Sequence, residues 1–409
     1  MSKRIWVISE LYYPEETSTG YLLTLIAEGL ARQFSVNVLC SQPTYGARGQ
    51  RALWYEIRNG VNIYRCWGTT LNKDVLPLRI INMVTITLSI LINALRHIRP
   101  EDCVLVVTNP PLLPFAISVA CFFRRFKSVL IVHDVYPEAL IVANVTQPGT
   151  LLTRVVSYLT RILYRQMKRI VVLGRDMASL LRCKLPAEYQ KIVIIPNWAD
   201  IDLIDPVRRC ENLLLTEHNL TDKFVVQYAG NMGRTHGIEC LVVCAEKLLI
   251  DSNIHFLFIG SGAKKDWLEH AVNAGGLTNI TILGSRPRSD QANFLNACDV
   301  AVISFMAGMA GVSVPSRMYN VMAAGKPIIA VTDPDSELSL VVREEGIGWV
   351  ISPGDIGGLR MAILEAKANP DVLVQMGHRA RRAAETKYSF ERVNQAYTEM
   401  VASIYEEVV

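Results

Sequence analysis

Short apolar runs rich in β-branched residues alternate along the chain with longer stretches whose apolar residues recur every three to four positions. The first pattern fits strands buried on both faces, and the second fits the helices that cover them. In the first half the runs predict strands over 5–9, 36–40, 61–66, 104–108, 129–132, 170–173 and 192–195. In the second half they predict strands over 224–229, 255–259, 280–283, 300–304, 328–331 and 348–351. Leu22, Leu25, Ile26, Gly29 and Leu30 keep one helical face, and Ile238, Leu241, Val242 and Ala245 keep another in a helix beginning near Thr235. A last helix over about 390–407 aligns Val393, Ala396, Tyr397, Met400 and Val401. Two successive strand–helix alternations, joined by the polar stretch 200–222, predict two doubly wound α/β domains in tandem with a cleft between their facing loops.

Sheets of this kind bind ligands at the carboxyl ends of their strands, so the polar residues there carry the candidate chemistry. In "YAGNMGRTHGIE" (228–239), Gly230 and Gly233 follow a strand and permit close approach of backbone to a phosphate, with Arg234 adding charge at the expected helix start. The loop is neither Gly-x-Gly-x-x-Gly nor a P-loop, so hydride transfer and nucleotide hydrolysis lose support. In "VPSRMYNVMAAGKPIIAV" (314–331), Val314, Met318, Val321 and Met322 form one helical stripe. Pro315 is tolerated in a first turn, while Gly325 and Pro327 stop the helix before a buried strand. Ser316 and Arg317 are thereby placed at a helix start, an arrangement suited to an anion such as phosphate.

Composition narrows the class. The 409 residues exceed one small core, and 50% hydrophobic with 20% charged residues is a globular balance. Nine scattered cysteines without a Cys-x-x-Cys pair fit reduced thiols in a cytoplasmic protein. His236, Cys240 and Cys244 share a helical face but lack a fourth ligand, so no metal site is expected. The first apolar run is too short for a leader, and the run 80–95, interrupted by Asn82 and Asn93, falls short of the ~20 residues a bilayer crossing needs. Charge is uneven. Residues 1–200 hold 23 Lys and Arg against 13 Asp and Glu, whereas residues 201–409 hold 19 against 25. A basic first half suits an anionic partner: nucleic acid, a membrane surface or a phosphorylated substrate. No nucleic-acid recognition motif is present.

One stretch is compatible with the membrane. Over 151–169, Leu152, Val155, Val156, Leu159, Ile162 and Leu163 share a helical face, and Arg154, Arg161, Arg165 and Lys168 form a stripe on the other. "CFFRRFK" (121–127) adds apolar and basic groups. The pattern fits a peripheral protein at the inner face of the membrane, and equally a helix packed on its sheet with a solvated basic side.

Together, "HDVYPE" (133–138), "IPNWADID" (195–202), "AGNMGRTHGIE" (229–239), "IGSGAKKDWLE" (259–269), "LGSRPRSD" (283–290) and the 314–331 segment resemble retaining glycosyltransferases of family 4, in the bacterial O-antigen and colanic-acid branch. The resemblance spans essentially the whole chain and implies the GT-B fold of two Rossmann-like domains. It implies an acceptor domain over 1–205, a nucleotide-sugar donor domain over 206–385, and a terminal helix over 386–409 packing back on the first. The implied donor residues are Gly20, Gly230, Asn231, Gly233, Arg234, Gly284, Ser316, Arg317 and Asn320. His133 takes the place of the family's active-site histidine, next to Asp134, and Arg234 joins them in the implied catalytic set. The implied activity is metal-independent transfer of a hexose, with retention, to a glycan or polyprenyl-linked acceptor in cell-surface polysaccharide synthesis, with no cofactor besides the nucleotide sugar.

The chain also departs from the family. The positions of a Glu-x7-Glu pair carried by many relatives hold Val312 and Asn320, and the usual Arg and Lys of the glycine loop are Asn231 and His236. Glu337, after the next strand, is the candidate to replace the lost carboxylate at the donor ribose. A catalytically silent GT-B subunit or a nucleotide-sugar epimerase are the alternatives.

Overall fold

A computed structural model describes residues 3–44, 51–72 and 75–407, leaving aside the side chain of Leu76. In the first half, strands form at β1 (Arg4–Ile8), β2 (Ser35–Ser41), β3 (Tyr55–Arg58), β4 (Val61–Cys66), β5 (Cys103–Val107), β6 (Lys127–Val132), β7 (Arg169–Val172) and β8 (Ile192–Ile194). They make one sheet in the order β3-β4-β2-β1-β5-β6-β7-β8, parallel throughout except for β3. Its helices are α1 (Ser18–Leu30), α2 (Leu76–His97), α3 (Leu113–Arg124), α4 (Glu138–Val142), α5 (Leu151–Gln166) and α6 (Arg175–Lys184).

In the second half, strands form at β9 (Phe224–Ala229), β10 (Ile254–Ile259), β11 (Ile280–Leu283), β12 (Val300–Ser304), β13 (Ile328–Val331) and β14 (Gly348–Ile351). All are parallel, in the order β11-β10-β9-β12-β13-β14, with the strand order reversing between β9 and β12. The helices are α7 (Leu213–Glu217), α8 (Glu239–Lys247), α9 (Lys265–Gly275), α10 (Gln291–Asn296), α11 (Arg317–Ala323), α12 (Glu337–Glu345), α13 (Ile356–Ala368), α14 (Pro370–Thr386) and α15 (Phe390–Glu406).

Alternation along each strand builds the cores. Val225 and Leu257 face one side of the second sheet, and Val226, Phe256 and Phe258 face the other, all buried. Such side chains contribute about 1.5–3 kcal/mol each by leaving water. Burial on both faces is why these strands read as continuous apolar runs.

The chain divides into two compact units. The first comprises 1–137, 149–196 and 391–409; the second comprises 138–148 and 197–390. The division therefore falls at Pro196–Asn197 and not at 205–206. The stretch 200–222 is no linker, because Ile204, Leu214, Leu215 and Leu220 bury themselves in the core of the second unit. The last helix belongs to the first unit. Lys127 donates to the Ile404 carbonyl at 2.9 Å, and Tyr405 donates to the Arg4 carbonyl at 2.6 Å.

Two further differences from the pattern-based reading have local causes. Strand β3 is short and half exposed, so no apolar run marks it. Its turn is marked, however: Asn59 and Gly60 take positive φ of 45° and 81°, as a two-residue hairpin requires. Helix α8 starts at Glu239, not near Thr235, because Arg234 to Ile238 form turns held by backbone bonds such as Met306 N–H to the Thr235 carbonyl at 2.9 Å.

Candidate active site

Three loops at the carboxyl ends of β9, β10 and β11 are joined in the second unit. Gly230 N–H donates to the Ile259 carbonyl at 2.8 Å, Gly260 N–H to Leu283 at 3.0 Å, and Met232 N–H to Ser261 at 2.8 Å. The join leaves no room for side chains. Gly260 has φ +144°, and a β-carbon there would lie 2.0 Å from the Gly230 carbonyl oxygen. Lys264 pins the glycine loop from beside it, since its N–H donates to the Met232 carbonyl at 3.0 Å and its ammonium to the His236 carbonyl at 2.7 Å. That ammonium also pairs with Glu239 at 2.6 Å. Sequence reasoning quoted the Lys264 segment without singling this residue out.

Arg317, in the first turn of α11, reaches back over the same loop. Its guanidinium lies 4.9 Å from the centre of the Tyr228 ring, and a β-carbon at Gly230 would come within 3.0 Å of its Nη1. A side chain at position 230 would displace it. Among the described residues Arg317 has no carboxylate at ion-pair distance; its one hydrogen bond runs to the Ala229 carbonyl at 3.5 Å. Burial, reinforced by the charges of Arg317 and Lys264, pushes the His236 pKa down to about 3, so that imidazole is neutral at neutral pH. His236 therefore does not restore the family's lost cation. Arg234 is exposed in a turn and not at a helix start, so of the two candidate arginines the one held against the loop is Arg317.

The remaining second-unit candidates spread along the rim. Ser316 precedes α11 without capping it by its side chain. The Asn320 amide oxygen already accepts from Asp200 N–H at 3.3 Å. Glu337, only 7% exposed, lies in the first turn of α12 after β13. Gly284 is in the exposed loop after β11, where a β-carbon would meet nothing, while neighbouring Ser285 donates to Ser261 Oγ at 2.8 Å. Asn231 covers Gly262, whose β-carbon would fall 2.6 Å from its Oδ1, and Gly233 faces both Asn231 and His236. Val312 is buried. Cys240 donates to the Gly237 carbonyl at 2.9 Å. Among the described residues no three His, Cys, Asp or Glu side chains gather into a metal-sized group.

The first unit has candidate residues of its own. Gly20 is in the first turn of α1, where a β-carbon would lie 2.8 Å from the Glu15 carbonyl, so packing alone demands glycine. His133 and Asp134 follow β6 directly, and both backbone N–H groups donate to Thr108 Oγ1, at 3.0 and 3.3 Å. Thr108, at the end of β5, therefore positions the histidine, a role no local pattern announced. Burial lowers the His133 pKa to about 4. Its imidazole is held neutral, fit to exchange hydrogen bonds with a polar substrate and poorly suited to carry charge.

Comparison with known proteins covers both halves of the chain. The family described as glycosyl transferases group 1 matches residues 215–383, and the glycosyl transferase 4-like domain matches 20–198. A probable glycosyltransferase of Pseudomonas aeruginosa, WbjE, is 32% identical over 352 residues, covering 86% of each chain. A putative colanic acid biosynthesis glycosyl transferase of Escherichia coli K12, WcaI, is 25% identical over 187 residues, 44% of this chain and 46% of that one. Among solved structures, HepE from Anabaena in complex with UDP and glucose superimposes with a TM-score of 0.74 at 15% identity, covering 98% of this chain and all of that one.

Proposed function

The chain belongs to the group 1 glycosyltransferases, with the GT-B fold, and from that premise we propose that it transfers a hexose from a nucleotide-diphosphate sugar to a glycan or lipid-linked acceptor in polysaccharide synthesis. One observation carries the donor assignment. Arg317 is a cation without a carboxylate partner among the described residues, stacked on Tyr228 above Gly230, where the strand order of the sheet reverses. Cleavage of the sugar–phosphate bond builds negative charge on the leaving diphosphate and positive charge on the anomeric carbon. A guanidinium aimed at that diphosphate stabilises the transition state, and glycine loops let the phosphates approach backbone N–H groups. In the proposed mechanism the acceptor attacks from the face the diphosphate leaves, the leaving phosphate takes the acceptor's proton, and the configuration is retained. Arg317, assisted by Arg234, then does the work a metal would do.

Uridine is the first base to test, since HepE was solved with UDP and glucose, and colanic acid synthesis in the name of WcaI is the ground for the polysaccharide assignment. UDP at 100 times its dissociation constant is expected to stabilise the protein by ~2.7 kcal/mol, and a panel of UDP sugars to be turned over on an acceptor. Absence of a melting shift with every nucleoside diphosphate sinks the reading. The loss of carboxylates at Val312 and Asn320 favours a second reading, donor binding without turnover. Intact UDP binding with no transfer and no donor hydrolysis selects it.

Glu337 is assigned to the donor ribose in place of Asn320, whose amide oxygen is engaged by Asp200. A charge-assisted bond to a ribose hydroxyl is worth about 1.5–3 kcal/mol, so Glu337→Gln is expected to weaken donor binding by that amount. A lowered melting temperature with unchanged donor affinity assigns Glu337 to the helix start alone.

A further inference from the structure

Helices α2, α3 and α5 carry apolar residues on their outer faces as well as on the faces they bury. Right-handed crossovers from β4 to β5, β5 to β6 and β6 to β7 place all three on one face of the first sheet, with α3 packed between the other two. In α5 the buried residues are Thr153, Thr160, Leu163 and Tyr164, and both threonines satisfy their hydroxyls on the helix's own backbone. Leu151, Leu152, Val155, Leu159 and Ile162 face outward and are exposed. In α2, Ile86, Ile90 and Ala94 are buried together with Asn82 and Thr87, and Asn82 Oδ1 accepts from Leu71 N–H at 2.9 Å. Its outer stripe is Ile80, Val84, Leu88 and Ile92, at i, i+4, i+8 and i+12. Phe122 and Phe123 at the end of α3 are 75% and 67% exposed. A helix packed on its sheet in water turns a polar face outward instead.

The charge of this layer is equally one-sided. None of the three helices contains Asp or Glu, and Arg79, Arg96, Arg154 and Arg161, with Arg125 just beyond α3, are exposed. Among the described residues none of these five is ion-paired. An apolar surface ringed by unpaired cations complements an apolar layer bounded by anions, which is a leaflet of anionic lipid. Helix α2 is long and apolar enough over Pro77–His97 to cross a bilayer, yet it packs against β2, β4 and α3, which assigns it to lying along the surface.

We propose that the outer face of α2, α3 and α5 seats the protein on an anionic bilayer, with Phe122, Phe123 and the outer leucines among the acyl chains and the arginines at the headgroups. The seat is independent of the donor assignment and supplies what a lipid-linked acceptor requires, an enzyme held at the surface where that acceptor resides.

The full chain is tested by co-sedimentation with phosphatidylcholine vesicles, with and without phosphatidylglycerol, at low and high salt. Binding is expected with phosphatidylglycerol and to weaken with salt. Phe122→Ser with Phe123→Ser, and separately Leu152→Ser with Leu159→Ser, are expected to reduce partitioning by at least about tenfold with unchanged circular dichroism and melting temperature, because these side chains support no core. Arg154→Gln with Arg161→Gln is expected to remove the preference for anionic lipid. Fluorescence of Phe122→Trp is expected to be quenched by lipids brominated in the acyl chain. No binding to phosphatidylglycerol vesicles at low salt overturns the proposal, as do serine variants that bind like the parent or an unquenched Trp at position 122. A dimer in solution that dissociates in the serine variants also overturns it, since a second copy would then be the occupant.

Discussion

His133→Ala is expected to lower turnover by about 10²–10⁴-fold, the range for a positioned group acting at the reacting centre, while donor affinity stays near that of the parent. The affinity is spared because the nucleotide is assigned to the second unit's rim, whereas His133 belongs to the first unit, held by Thr108 at the end of β5. Burial keeps its pKa near 4, so the imidazole is neutral across the working range and is expected to act by hydrogen bonding and not by charge. The pH–rate profile should then lack an inflection near 6.5 that His133→Ala removes. Stability gives a second readout. His133, His236 and His255 all have pKa values lowered by burial, to about 4, 3 and 4. Below pH 6.5 the unfolded chain takes up protons that the folded chain refuses, so stability falls as pH drops toward 4. His133→Ala should make that fall shallower. Turnover within a few-fold of the parent would make His133 a structural residue.

Arg317→Ala is expected to weaken nucleoside-diphosphate binding by about 1.5–3 kcal/mol, as loss of a hydrogen bond to a charged group does, and to leave nucleoside binding unchanged. The difference isolates the phosphates. Arg317→Lys should recover only part of the loss, because an ammonium keeps the charge but presents no planar fork to the phosphates. Arg234→Ala should cost less, since exposed charges contribute ~0–1 kcal/mol and Arg234 is exposed. Equal losses for nucleoside and nucleoside diphosphate would remove Arg317 from the phosphate site.

What could be read without coordinates followed from short-range physics. Strands β9 and β11 to β14 appear at the residues their apolar runs mark, because burial on both faces leaves a continuous signature. Family membership was legible in ordered motifs, and the glycine loop in its spacing. The hairpin strand β3 was legible only through Asn59-Gly60, since a half-exposed edge carries no apolar run.

Tertiary structure decided the rest. Arg317 lies over Gly230 because α11 and β9 meet at one end of a sheet, and nothing local to either segment specifies that meeting. The neutrality of His236 depends on burial and on Arg317 and Lys264, charges distant in sequence that act through space. The Asn320 amide oxygen accepts from a backbone N–H at Asp200, far along the chain. For α5 the apolar periodicity was plain, but periodicity states only that one face differs from the other. Which face meets the sheet is settled by packing, and there Thr153 and Thr160 turned inward with Leu163 while Leu151, Leu152 and Leu159 turned outward.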